Sequence, residues 1–161
     1  MTSDAVTVPD VMPLEFVPLP QPGIGSDVRV RIDADGGAPL RCCLRDSRPG
    51  ERIALITATP DGPRGAYRET GPVFVHADPC PGPRQTGYPE DFRRRAQVFR
   101  AYDWTGSIAG GTVVPAGSGQ EEAARQLLSD PRVALVQTRN VVFGCYLLTI
   151  DKELLHAAKC P

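Results

Sequence analysis

Gly71-Pro72-Val73-Phe74-Val75-His76-Ala77-Asp78-Pro79-Cys80 reads as a buried strand bracketed by proline. Pro72 can open a strand because the first position can do without a donor, and Pro79 ends it because it cannot continue the ladder. Alternation puts Val73, Val75 and Ala77 on one face and Phe74, His76 and Asp78 on the other, so the mainly apolar run is expected to be covered on both sides. His76 is then at least partly buried. Cys80 heads the run Pro79-Cys80-Pro81-Gly82-Pro83, whose prolines restrict where the thiol can point.

Outward from that strand, Glu51-Arg52-Ile53-Ala54-Leu55-Ile56-Thr57-Ala58 is apolar enough to be a central strand. A polar loop over 59–65 follows, and Tyr67-Arg68-Glu69-Thr70 leads into the focal strand. Upstream, residues 28–32 alternate as a half-exposed strand before a turn at 33–37. Residues 40–44 continue toward another strand, with Arg41, Cys43 and Arg45 on one face and Cys42 and Leu44 on the other. The segment 1–25, with Pro9, Pro13, Pro18, Pro20 and Pro22, is expected to run extended over the surface of a single domain formed by 26–161.

Downstream, Tyr88-Pro89-Glu90 opens a short helix, with Pro89 near its first turn and acids near its positive end. The run Arg93-Arg94-Arg95 fans out around that helix and reads as solvated surface. Residues 98–102 alternate, 103–106 turn, and 107–114 return as a hairpin strand. Gly119-Gln120 opens a second helix through Leu128, stopped at Ser129-Asp130-Pro131. Residues 132–139 and 143–150 form a further hairpin, and the tail from Asp151 is expected to make a last helical turn. The order implies an α+β fold: a mainly antiparallel β-sheet with two short helices. No glycine-rich phosphate loop lies between a strand and a helix, so dinucleotide binding is set aside.

At 161 residues the chain can bury about two-thirds of its unfolded surface without a metal or disulfide scaffold. A net charge of −1 argues against an electrostatic nucleic-acid or membrane partner. Residues 1–22 lack a basic start and an unbroken apolar core, and no segment approaches a membrane span. A cytoplasmic location follows as the expectation, where Cys42, Cys43, Cys80, Cys145 and Cys160 would stay thiols. Arginine supplies nearly all the positive charge, and its fork suits carboxylates and phosphates.

Arg41-Cys42-Cys43-Leu44-Arg45, the Pro49-Gly50-Glu51 turn, Tyr67-x-Glu69-x-Gly71 through His76 with Cys80, Arg100-Ala101-Tyr102-Asp103, and Arg139-Asn140 with Gly144-Cys145 form a combination of blocks. Together they resemble the uncharacterised bacterial family known as domain of unknown function 1203. The likeness runs from about Arg41 to Asp151 and implies no activity, cofactor or substrate. Members often carry histidine two residues before the Arg-Asn pair, where this chain has Gln137.

Three functions fit these residues. In the first, one catalytic pocket gathers His76, Cys80 and Cys145, with His76 for proton transfer, Cys80 for nucleophilic or redox chemistry, and Tyr67 and Tyr102 as donors. Arg41, Arg45, Arg100, Arg139 and Asn140, with Glu69, would there bind a small anionic molecule, with no metal ligand assigned. In the second, His76, Cys80 and Cys145 hold zinc, although His-x3-Cys across a proline turn is not an established chelating unit. In the third, a non-catalytic interaction module buries its histidine and cysteines and pairs its arginines with Glu51, Glu69, Asp78 and Asp103.

Overall fold

The computed structural model describes residues 12–21 and 28–152. The focal strand is β6 (Gly71–His76) in a five-stranded sheet ordered β2-β5-β6-β3-β4, with β2 (Arg29–Asp33), β3 (Pro39–Leu40), β4 (Arg45–Asp46) and β5 (Glu51–Ala58). The other sheet has the order β1-β10-β9-β7-β8, formed by β1 (Leu14–Val17), β7 (Gln97–Asp103), β8 (Ile108–Val114), β9 (Val133–Asn140) and β10 (Tyr146–Lys152). Every pairing in this second sheet is antiparallel. In the first, β3 runs parallel to β6. The single antiparallel sheet expected from the sequence is therefore two sheets, one of them mixed. The prolines between Pro79 and Pro89 interrupt the ladder, so the chain leaves the first sheet there and returns to the second, to which β1 already belongs.

Among the described residues the only α-helix is α1 (Gln120–Leu128), which buries Gln120, Ala124 and Leu128 at i, i+4 and i+8. The first expected helix, opened by Tyr88-Pro89-Glu90, is a 3-10 turn at Glu90–Arg94, closed by Phe92 N–H to Pro89 O. With Phe92 as its one buried residue, it is too short to sustain α-helical bonding. Residues 40–44 also differ from expectation. Leu44 N–H reaches Leu40 O at 2.9 Å, and Leu44 takes φ 54°, so one helical turn closes in a left-handed residue where a strand was anticipated. The N-terminal segment contributes β1, paired to β10, and Asp151 and Lys152 still belong to β10. Residues 1–11, 22–27 and 153–161, with the rest of both terminal expectations, lie outside the described residues.

Each sheet has its own apolar core. Phe92, Phe99, Val136 and Leu148 cluster with Ala124 and Leu128 of α1, while Leu40, Ile53, Val73 and Val75 fill the other. Polar ties cross between the halves. Arg41, 3% exposed, donates from Nε to Tyr146 O at 2.8 Å and from NH1 to Pro39 O at 2.5 Å. Burial lowers its pKa to about 10. NH2 of Arg95 donates to both oxygens of Asp46, at 2.8 and 2.7 Å, and Leu19, just past β1, donates to Arg41 O and packs in the first sheet's core. Arg93 binds Glu90, Gln120 and Glu121, so of the arginine run Arg94 alone is largely solvated.

Replacing Arg41 with Met should cost about 1–3 kcal/mol, because the buried carbonyl of Tyr146 loses its donor. An unchanged urea midpoint would show that the guanidinium does not join the sheets. Arg93 holds the Glu121 carboxyl below its ordinary pKa. Its stabilising effect is therefore fully present above the unfolded carboxyl pKa and lost as pH falls through the lower folded value. Glu121→Gln should cost about 1 kcal/mol or less at neutral pH and nothing in strong acid; a pH-independent difference in melting temperature would contradict this.

Candidate functional site

The turn after β3 breaks the two-residue alternation, and this brings Cys42 and Cys43 to the same imidazole. His76 Nδ1 lies 3.5 Å from Cys42 Sγ and 3.5 Å from Cys43 Sγ. With Cys80 Sγ these donor atoms all fall within 4.8 Å of one another. Cys42 and Cys43 are buried and Cys80 and His76 half-buried.

The other ring nitrogen is occupied. His76 Nε2 is 2.7 Å from Glu51 Oε2, and Glu51 also receives both NH1 and NH2 of Arg45, at 2.9 and 3.0 Å. Arg45 NH2 sits 3.0 Å from Nε2, but a guanidinium has no lone pair to accept with. The consistent arrangement has Nε2–H and Arg45 both donating to Glu51. That leaves the Nδ1 lone pair facing the sulfurs. Arg45 is the main reason the Glu51 carboxyl is held down to about 2, with His76 and the Arg48 N–H adding to it.

Backbone groups complete the cluster. His76 N–H donates to Cys42 Sγ at 3.2 Å. Hydrogen bonding from Cys43 and then from His76 pushes the Cys42 thiol down, while Cys43, which keeps the shared proton, is pushed up. Burial raises Cys80. Gln21 fixes the Cys80 loop from outside the sheet: its Nε2 donates to the carbonyls of His76 and Asp78 at 2.7 and 2.6 Å, and its Oε1 accepts from Cys80 N–H at 2.9 Å. The cluster opens on a cleft of about 800 Å3 between β1 and the 79–89 loop, lined by Cys43, Arg45, Arg48, His76, Cys80 and Arg84.

The single pocket expected from the sequence is divided in two. His76, Cys80 and Arg45 lie together at the C-terminal end of β6, joined by Cys42, Cys43, Glu51 and Gln21, none of which was singled out for a site. Glu69, just before the N-terminal end of β6, instead meets Arg100 at 2.9 Å and Arg139 at 2.6 Å. Tyr102 accepts from Arg100 at 3.3 Å. Cys145 lines a separate cleft of about 290 Å3 with Glu69 and Arg139, so the zinc set His76, Cys80 and Cys145 is not assembled. Tyr67 is half-exposed beside Glu69, Tyr102 and Gln137. Arg41 belongs to the contact between the sheets, and Asn140 caps the β9–β10 turn, its Oδ1 accepting from the N–H groups of Val142 and Phe143.

The one sequence signal for the missed sulfurs was the adjacency of Cys42 and Cys43 upstream of a short proline-glycine turn. Nothing in the sequence marked Gln21.

No curated protein and no solved structure matches the chain. The profile of a family described as a protein of unknown function, DUF1203, matches residues 37–152. That span takes in Cys42, Cys43, Glu51, His76 and Cys80, and the chain belongs to that family.

Proposed function

We propose that this protein binds a soft divalent metal ion, of the zinc class, through Cys42, Cys43, Cys80 and His76. The observation that carries the reading is the placement of His76: Nδ1 is equidistant, at 3.5 Å, from two sulfurs while Nε2 is tied to Glu51. A tetrahedral ion with bonds of about 2.3 Å to sulfur and about 2.0–2.1 Å to nitrogen holds those ligands roughly 3.5–3.6 Å apart. Glu51 stands where a carboxylate orients a ligating imidazole and raises its basicity. The His76 N–H bond to Cys42 Sγ stabilises a thiolate, the form in which sulfur ligates. Four protein donors fill a tetrahedral sphere, so the ion holds together the turn after β3, the end of β6 and the Cys80 loop.

The cleft supports a second reading, in which His76 and Cys80 act as an acid–base and thiol pair on a small anionic metabolite beside Arg48 and Arg84. Metal ligation and a free nucleophilic thiol exclude one another, which makes the two separable.

Protein purified without chelator should carry about one equivalent of zinc, following the four-donor count, and cobalt exchange should produce intense thiolate-to-cobalt charge-transfer absorption. Cys43→Ser and His76→Ala should lose both signals, while Cys145→Ser keeps them. A folded wild-type protein that neither retains zinc nor binds cobalt would leave the thiol reading in its place. Glu51→Gln should weaken metal affinity by about 10–100-fold; wild-type affinity in a chelator competition would show that the carboxylate does not serve the imidazole.

A further inference from the structure

The second cleft is independent of the sulfur cluster. β7 and β9 pair with Arg100 opposite Gln137 and Val98 opposite Arg139. Arg100, Tyr102, Gln137 and Arg139 therefore share one face of their sheet, opposite the face of Phe99, Ala101 and Thr138. A buried polar face needs a counter-charge, and the loop before β6 lays Glu69 across it. Arg139 is 7% exposed, and its Nε is fully buried without an acceptor. Its NH1 is shared between Gly144 O and Glu69. Two guanidinium groups thus converge on one carboxylate whose own side chain is half-exposed and carried by a loop.

We propose that Arg100 and Arg139 form a receptor for the carboxylate of a small apolar organic acid, the place that the Glu69 carboxylate takes in this structure. The arginines hold Glu69 through separate oxygens, Oε1 and Oε2, so the site is already shaped to a planar carboxylate. The adjoining cleft of about 290 Å3 is walled by Ala58, Pro60, Pro72, Val73, Phe143 and Tyr146, an apolar lining for the remainder of the acid. Phe143 stands 82% exposed at its mouth, a ring that an apolar ligand would cover. A ligand enters by taking the place of Glu69, which swings into solvent at little cost because half of its side chain is already hydrated.

Calorimetric titration with benzoate tests the assignment, with benzyl alcohol and inorganic phosphate as controls. Benzoate should bind the wild-type protein and shield Cys145, which lines the same cleft, from carbamidomethylation as read by peptide mass spectrometry. Glu69→Gln removes the competing carboxylate and should tighten benzoate binding by about tenfold, while Arg100→Gln should weaken it by a similar factor. Should Glu69→Gln fail to fold, the wild-type and Arg100→Gln titrations still decide the matter. No benzoate binding to the wild-type protein, equal binding of benzyl alcohol or phosphate, or full affinity in Arg100→Gln would each overturn the proposal.

Discussion

The Glu51 carboxylate is the constraint on which the sulfur cluster depends. It takes Arg45 through both oxygens and His76 through one, and by doing so fixes which imidazole nitrogen faces inward. Without that bond the ring could present either nitrogen, or none, to Cys42 and Cys43. With it, a β5 residue orients a β6 side chain toward a turn that follows β3. The cluster is built from three separate segments, so its geometry reports the packing of the whole first sheet.

Backbone detail does the rest. A strand over residues 40–44 would have sent Cys42 and Cys43 to opposite faces. The left-handed conformation of Leu44 is a modest strain for a branched side chain, held by the Leu40–Leu44 bond and by the burial of Leu44 in the core beneath α1. Gln21 then ties the Cys80 loop to the end of β6 with three hydrogen bonds. At the other end of the same strand, Glu69 reaches across to the second sheet. From Gly71 to His76 the strand rises about 17 Å, at about 3.3 Å per residue, so β6 separates two clefts of different chemistry.

How far the sequence could be read follows from which forces act locally. β6 forms where the apolar run predicts it, although it begins at Gly71 with Pro72 as its second residue and ends at His76, ahead of Pro79; the β7–β8 and β9–β10 hairpins fall where turn residues place them, and the stripe on α1 is visible in its spacing. Arginine pairing was legible in part: Arg45 meets Glu51, and Arg100 and Arg139 meet Glu69, whereas Asp78 pairs with Arg52, Asp103 accepts from Thr105 and Ser107, and Arg41 bonds to backbone carbonyls. The partition into two sheets was not, because strand order is decided by contacts distant in sequence. Placing Cys145 with His76 failed for a related reason. Both flank strand ends, but of different sheets, and a periodic pattern carries no information about which sheet a strand joins. The turn at Cys42 and Cys43 was hidden by a run of residues that alternates well enough to pass for a strand.

The central claim is that Cys42, Cys43, Cys80 and His76 surround one ion with Glu51 behind the imidazole. X-ray absorption fine structure at the zinc edge of the purified protein tests it most directly. The account predicts a four-coordinate ion with three sulfurs at about 2.3 Å and one nitrogen at about 2.0–2.1 Å. A shell of oxygen and nitrogen only, or protein without a metal edge, would contradict it.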